Sequence, residues 1–140
     1  RLTKTYRNLE HYGNPEKILN DVEKQIRRRI LLQTKILILT PRYLVELSDD
    51  ICAIIPLPEV LWIYDHAAMR RTIKGRQLSY TIHVVTMKGE EYTLTGKSHR
   101  EVSAIYHELN TRYPNFFFGY SKEHQEMVQY VLHEMKNEKA

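Results

Sequence analysis

One cysteine, one tryptophan, five glycines and five prolines in 140 residues leave little room for several kinds of chemistry. A lone thiol, Cys52, excludes an intrachain disulfide, and a reducing compartment is the simpler expectation. Its neighbours Asp49 and Asp50 disfavour a thiolate, so a buried, inert side chain is expected rather than a nucleophile. The glycines are scattered singly, and no P-loop, dinucleotide fingerprint or nucleophile elbow occurs. No apolar run reaches the roughly 18 residues that a membrane helix needs, and no signal-peptide pattern opens the chain. His107-Glu108 and His133-Glu134 start like a zinc-binding helix, but Thr111 and Asn137 stand where the second histidine would be. Asp65 and His66 are neighbours on a strand and point to opposite faces, which rules out a catalytic dyad between them. No catalytic residue, metal site or cofactor is therefore expected.

What the chain does contain suits a folded domain: 42% apolar, 27% charged and 10% aromatic residues. One domain over 1–140 is expected, with an N-terminal helical segment at 1–29, a core at 30–113 and a C-terminal helical extension at 114–140. The net charge of +4 is unevenly spread. Residues 1–35 carry nine basic and four acidic groups, 36–97 carry seven of each, and 98–140 carry five and six. The basic excess lies at the start, as it does beside a membrane span on the cytoplasmic side. The chain opens at Arg1 rather than methionine, and a span before it would place the domain at the cytoplasmic face of the cell membrane; otherwise the expectation is cytoplasmic.

Asn14-Pro15-Glu16 reads as a helix start, with Ile18, Leu19, Val22 and Ile26 on one face and Arg27, Arg28 and Arg29 at its end. From Ile30 the pattern turns to short β-branched runs. Strands are expected at Leu31 to Thr40, Arg42 to Leu47, Cys52 to Leu57, Val60 to Asp65, Leu78 to Met87 and Glu91 to Thr95. Corners are expected at Pro41, at Ser48-Asp49-Asp50 and at Lys88-Gly89, and a hairpin tip at Lys74-Gly75. In the fourth strand Val60, Trp62 and Tyr64 should share one face and Leu61, Ile63 and Asp65 the other.

Ser98 and Glu101 form a capping box ahead of a helix whose stripe is Val102, Ile105, Tyr106, Leu109 and Tyr113, ending before Pro114. Ser121 caps a last helix with the stripe His124, Met127, Val128, Val131 and Met135. Phe116 to Tyr120, between the helices, is too apolar for a free loop and should pack across the sheet. The fold class is thus α+β: a bent antiparallel sheet or partly open barrel of six to seven strands, with an N-terminal helix and two C-terminal helices.

Two clusters of cations are candidate binding residues for an anionic surface: Arg70, Arg71, Lys74 and Arg76 at the hairpin tip, and Arg27, Arg28 and Arg29. The same hairpin could neutralise nucleic-acid phosphates. Aromatic residues interleaved with the cations would favour that, whereas Trp62 and Tyr64 sit among aliphatic and acidic neighbours.

Strands followed by a capped helix, over about Ile30 to Tyr113, resemble the pleckstrin-homology-like fold. More narrowly, Leu39-Thr40-Pro41-Arg42-Tyr43-Leu44, then Ile55-Pro56-Leu57-Pro58-Glu59-Val60-Leu61-Trp62-Ile63-Tyr64, then Met87-Lys88-Gly89-Glu90, and Pro114 followed by Phe118-Gly119-Tyr120-Ser121 resemble a group of uncharacterised bacterial membrane proteins. That resemblance implies a pleckstrin-homology-like domain on the cytosolic side, behind a pair of membrane helices. It implies a non-enzymatic interaction module whose partner is a protein or an anionic lipid surface, nucleic acid being the alternative. Phosphoinositide-binding members of the fold place cations in a long first loop, and here that connection is only Pro41-Arg42.

Overall fold

The structure, a computed structural model, describes residues 8–34, 37–47, 53–113 and 116–139, apart from the side chains of residues 70, 95–97 and 139. Cys52, the Ser48-Asp49-Asp50 turn and Pro114 lie outside the described residues. The chain divides into two compact units, 1–59 and 60–140.

In the first unit, helix α1 spans Pro15–Arg28, and the Asn14 side chain accepts a hydrogen bond from the Lys17 amide at 3.1 Å. Proline at the first helical position sacrifices no bond, because that amide would have no partner inside the helix. Ile18, Leu19, Val22 and Ile26 pack with Leu9, Ile38, Tyr43, Val45 and Ile54. The strands beneath are β1 (Leu32–Gln33), β2 (Leu37–Leu39), β3 (Tyr43–Glu46) and β4 (Ile54–Pro56), antiparallel and in that order. The expected single strand from Leu31 to Thr40 is thus two strands folded on each other, closed by Thr34 N–H to the Leu37 carbonyl at 2.8 Å. Polar Gln33 and Thr34 mark the break in the apolar run. The Pro41 corner is as expected: Thr40 Oγ1 accepts from the Tyr43 amide at 3.0 Å, which closes the turn without needing an N–H from proline. Asp21, the acid on the inner side of α1, accepts from the Tyr43 hydroxyl at 2.6 Å and pairs with Arg42 at 3.5 Å.

After a short 3-10 turn at Leu57–Glu59, the second unit opens with β5 (Val60–Thr72), followed by β6 (Gly75–Thr86) and β7 (Glu91–Lys97). Helix α2 (His99–Arg112), strand β8 (Phe117–Phe118) and helix α3 (Lys122–Lys139) complete the chain. The sheet order is β7-β6-β5-β8, antiparallel except for β8, which lies parallel to β5 with Trp62 beside Phe117 and Ile63 beside Phe118. The segment expected to pack across the sheet therefore joins its edge, and Gly119 N–H extends the pairing to the Ile63 carbonyl.

Two further corrections follow from local geometry. A bulge between Val60 and Trp62 inserts one residue, so Leu61 and Trp62 both join the cluster with Val85 and Val128 instead of alternating. Only the serine half of the capping box forms: Ser98 Oγ accepts from the Glu101 amide at 3.2 Å, while Glu101 Oε2 is buried with no partner among the described residues.

The two helices of this unit cover opposite faces of its sheet. Val128, Val131 and Leu132 of α3 pack on the face carrying Trp62, Tyr64 and Val85. Tyr106 of α2 donates to Asp65 on the other face, where Ile63, Ile82, Val84 and Leu94 are fully buried. The α+β class and the three expected helices stand. The expected single bent sheet or partly open barrel of six to seven strands is instead two four-stranded sheets, eight strands in all among the described residues.

Candidate interaction surface

Strands β5 and β6 are far longer than their neighbours, and that difference in length builds the most exposed feature of the second unit. Pairing with β7 ends at Tyr80 opposite Lys97, and pairing with β8 ends at Ile63. Five further rungs of β5 and β6, from Ala68 opposite Ser79 to Thr72 opposite Gly75, continue as a two-stranded ribbon. At about 3.4 Å per residue it projects roughly 17 Å beyond the third strand. Ile73 and Lys74 form the tip; Gly75 takes φ +111°, and Thr72 Oγ1 donates to its carbonyl at 2.8 Å. The tip sits within one residue of its expected place, but β5 runs seven residues further than the Val60 to Asp65 strand read from the sequence. Alternation is weak there because both faces meet water and no core selects an apolar face.

On the α2 side of the ribbon, cross-strand partners fall in the order Ala67–Tyr80, Met69–Leu78 and Arg71–Arg76. This is the continuation of the buried face of Ile63, Ile82 and Val84. Helix α2 covers it only as far as Tyr80, whose ring lies 5.5 Å from that of His99, the first helical residue. Beyond that point Met69 is 60% exposed, Leu78 56% and Ile73 completely. Arg71 directly faces Arg76, an arrangement that costs stability in a sheet unless an anion comes between them.

The expected cations thus fall as follows. Arg71 and Arg76 share one rung and face, and Lys74 is at the tip. Arg70 is opposite Gln77 in register, and its side chain lies outside the described residues. Arg27, Arg28 and Arg29 end α1 in the first unit; Arg27 pairs with Glu23 at 3.3 Å, and Arg28 and Arg29 are exposed. Missed in the sequence were Met69, Ile73 and Leu78. Their signal was present as apolar residues spaced among the cations of a single hairpin.

A second surface lies on α3. Met127 belongs to the expected buried stripe, but it is 50% exposed and Tyr130 is 65% exposed. On a helix Met127 stands about 100° from Val128, which faces the sheet, and Tyr130 stands nearly opposite Val128. With Glu123, Glu126 and Val131 these two residues line a shallow groove of about 520 Å³. Its rim is acidic.

Between the helix and the sheet sits an aromatic cluster. Tyr64 stacks on His83 at 4.6 Å and lies 4.2 Å from Trp62, and its hydroxyl donates to Glu91, which also bonds His83. Burial and the Glu91 carboxylate push the Tyr64 hydroxyl up to about 12. The rings pack against one another. Asp65 is held by Tyr106 on the opposite face, so Asp65, His66 and His83 do not converge. Among the described residues no three potential metal ligands gather, and no helix is long and apolar enough to cross a membrane.

No curated protein and no solved structure matches the chain. A family model does match residues 13–128, from the turn before α1 through both sheets and α2 into α3. The chain belongs to that family, described as a domain of unknown function (DUF6709).

Proposed function

We propose that the chain is a non-enzymatic, pleckstrin-homology-like interaction module at the cytosolic face of a bacterial membrane, and that its β5-β6 ribbon engages the anionic lipid surface. The observation that carries this reading is the ribbon's composition: a fully exposed Ile73 at the tip, with Met69 and Leu78 bare behind it and Arg71, Lys74 and Arg76 among them. Apolar side chains at a protruding tip can enter the acyl boundary while the cations meet lipid phosphates. Each cation near an anionic surface contributes about 1 kcal/mol. Three together amount to roughly 3 kcal/mol, or on the order of a hundredfold in binding.

The test is co-sedimentation with neutral vesicles and with vesicles rich in phosphatidylserine, at low and high salt. Binding should appear only on the anionic vesicles and weaken with salt. A variant with Arg71, Lys74 and Arg76 all changed to alanine should lose most of it. Equal binding by that variant, or none by the unaltered chain at low salt, refutes the reading. Salt-dependent binding to nucleic acid but not to vesicles would favour the alternative partner.

A further inference from the structure

The second unit bears two exposed apolar patches of opposite charge. The ribbon presents Met69, Ile73 and Leu78 among cations; α3 presents Met127 and Tyr130 between Glu123 and Glu126. We infer that the ribbon of one copy docks in the α3 groove of a second copy, and that this pairing hides the ribbon from a membrane.

A copy's own ribbon cannot reach its own groove. Val128 packs α3 on Trp62, and the tip of β5 is ten residues further along an unbroken strand. At about 3.3 Å per residue that is some 33 Å away. A reciprocal exchange, ribbon to groove in both directions, closes as a two-fold dimer with two equal contacts. The exposed ribbon face measures roughly 10 by 17 Å, two strands wide, so the two contacts, counted on both partners, bury about 700 Å² in total. That is below the range of stable specific interfaces, which makes the dimer weak, transient and concentration-dependent. Its salt dependence follows from placing Arg71 and Arg76, which repel across one rung, beside the carboxylates of Glu123 and Glu126. The docking rests only on the ribbon being an interaction element; that it hides the ribbon from a membrane rests on the proposed lipid contact.

The test is sedimentation velocity of the chain from about 1 to 200 μM, in 50 mM and 500 mM salt, without lipid. A monomer–dimer equilibrium should appear at low salt and recede at high salt. The double variants Arg71→Glu/Arg76→Glu and Glu123→Arg/Glu126→Arg should each be monomeric, because each then has ribbon and groove of the same sign. Mixed in equal amounts they should dimerise again, since both contacts regain opposite charges. All four positions are exposed, and circular dichroism of each variant verifies its fold. A monomer throughout the range, a dimer unaffected by the α3 variant, or no recovery on mixing overturns the inference. Vesicle binding is read separately: the charge-neutral variant Met127→Ser should dimerise less and bind anionic vesicles more tightly than the unaltered chain at concentrations where the latter dimerises. Mixing rescue without lipid binding would leave the docking standing and end the membrane reading.

Discussion

Changing Trp62 and His124 together should destabilise the second unit by more than the sum of the two single changes. The Gly119 carbonyl receives Trp62 Nε1–H at 2.9 Å and lies 3.0 Å from His124 Nδ1. A carbonyl has two lone pairs, so both can be used at once. Trp62→Phe removes one donor and part of a side chain that is 5% exposed, while His124 still satisfies the oxygen. The lost bond costs about 1 kcal/mol and the smaller ring about another 1 kcal/mol. His124→Ala should cost about 1 kcal/mol through its bond, plus its contact with the Phe117 ring 5.5 Å away. In the double variant the carbonyl has neither donor. An orphaned, half-buried acceptor adds about 1 kcal/mol more, which is the coupling expected from the cycle. Urea unfolding followed by far-ultraviolet circular dichroism measures all four corners, since Trp62 is the chain's sole tryptophan and its fluorescence disappears in two of them. Additivity to within about 0.3 kcal/mol would refute the shared-acceptor argument.

Gly119→Ala should cost about 1–2 kcal/mol from the backbone alone, because φ is +81° and a Cβ there would meet no atom within 4 Å. A loss far above that, in the same urea assay, would reveal a contact at this position. At alkaline pH the fold should weaken through its tyrosines. Burial first, then the Asp21 and Glu91 carboxylates, push Tyr43 and Tyr64 up to about 12 from the usual 10.0, and Tyr106 beside Asp65 is raised further. Below pH 10 both folded and unfolded chains hold these protons and the contribution is complete. Between 10 and about 12 only the unfolded chain releases them, so stability falls as pH rises. Urea midpoints that stay level from pH 9 to 11.5 would contradict this, and Tyr43→Phe should lessen the fall.

Local signals carried much of the architecture. Asn14-Pro15-Glu16, the Pro41 corner, Lys88-Gly89 and Ser98 act within a few residues, through caps, fixed φ and turns, and each marks a boundary in the structure. Strand count and facing were less legible. The fold-back between β1 and β2, the bulge at Leu61 and the parallel placement of β8 are decided by which partner strand a backbone finds. For the bulge and for β8 those partners are distant in sequence, and even for the nearby β1 and β2 alternation alone cannot name the pairing.

The candidate surface shows the same division. Its cations were visible as a run from Arg70 to Arg76, since charge is a property of composition. That the ribbon stands clear of β7, β8 and α2, leaving Met69, Ile73 and Leu78 bare, depends on where the neighbouring elements end. Likewise Glu123, Glu126, Met127 and Tyr130 become one groove only after Val128 has turned α3 toward Trp62. By itself the sequence determined the α+β class, the three helices and the position of the basic hairpin, because those follow from short-range backbone preferences and charge. Which apolar residues remain uncovered was decided only by the tertiary structure, because burial depends on what each element packs against.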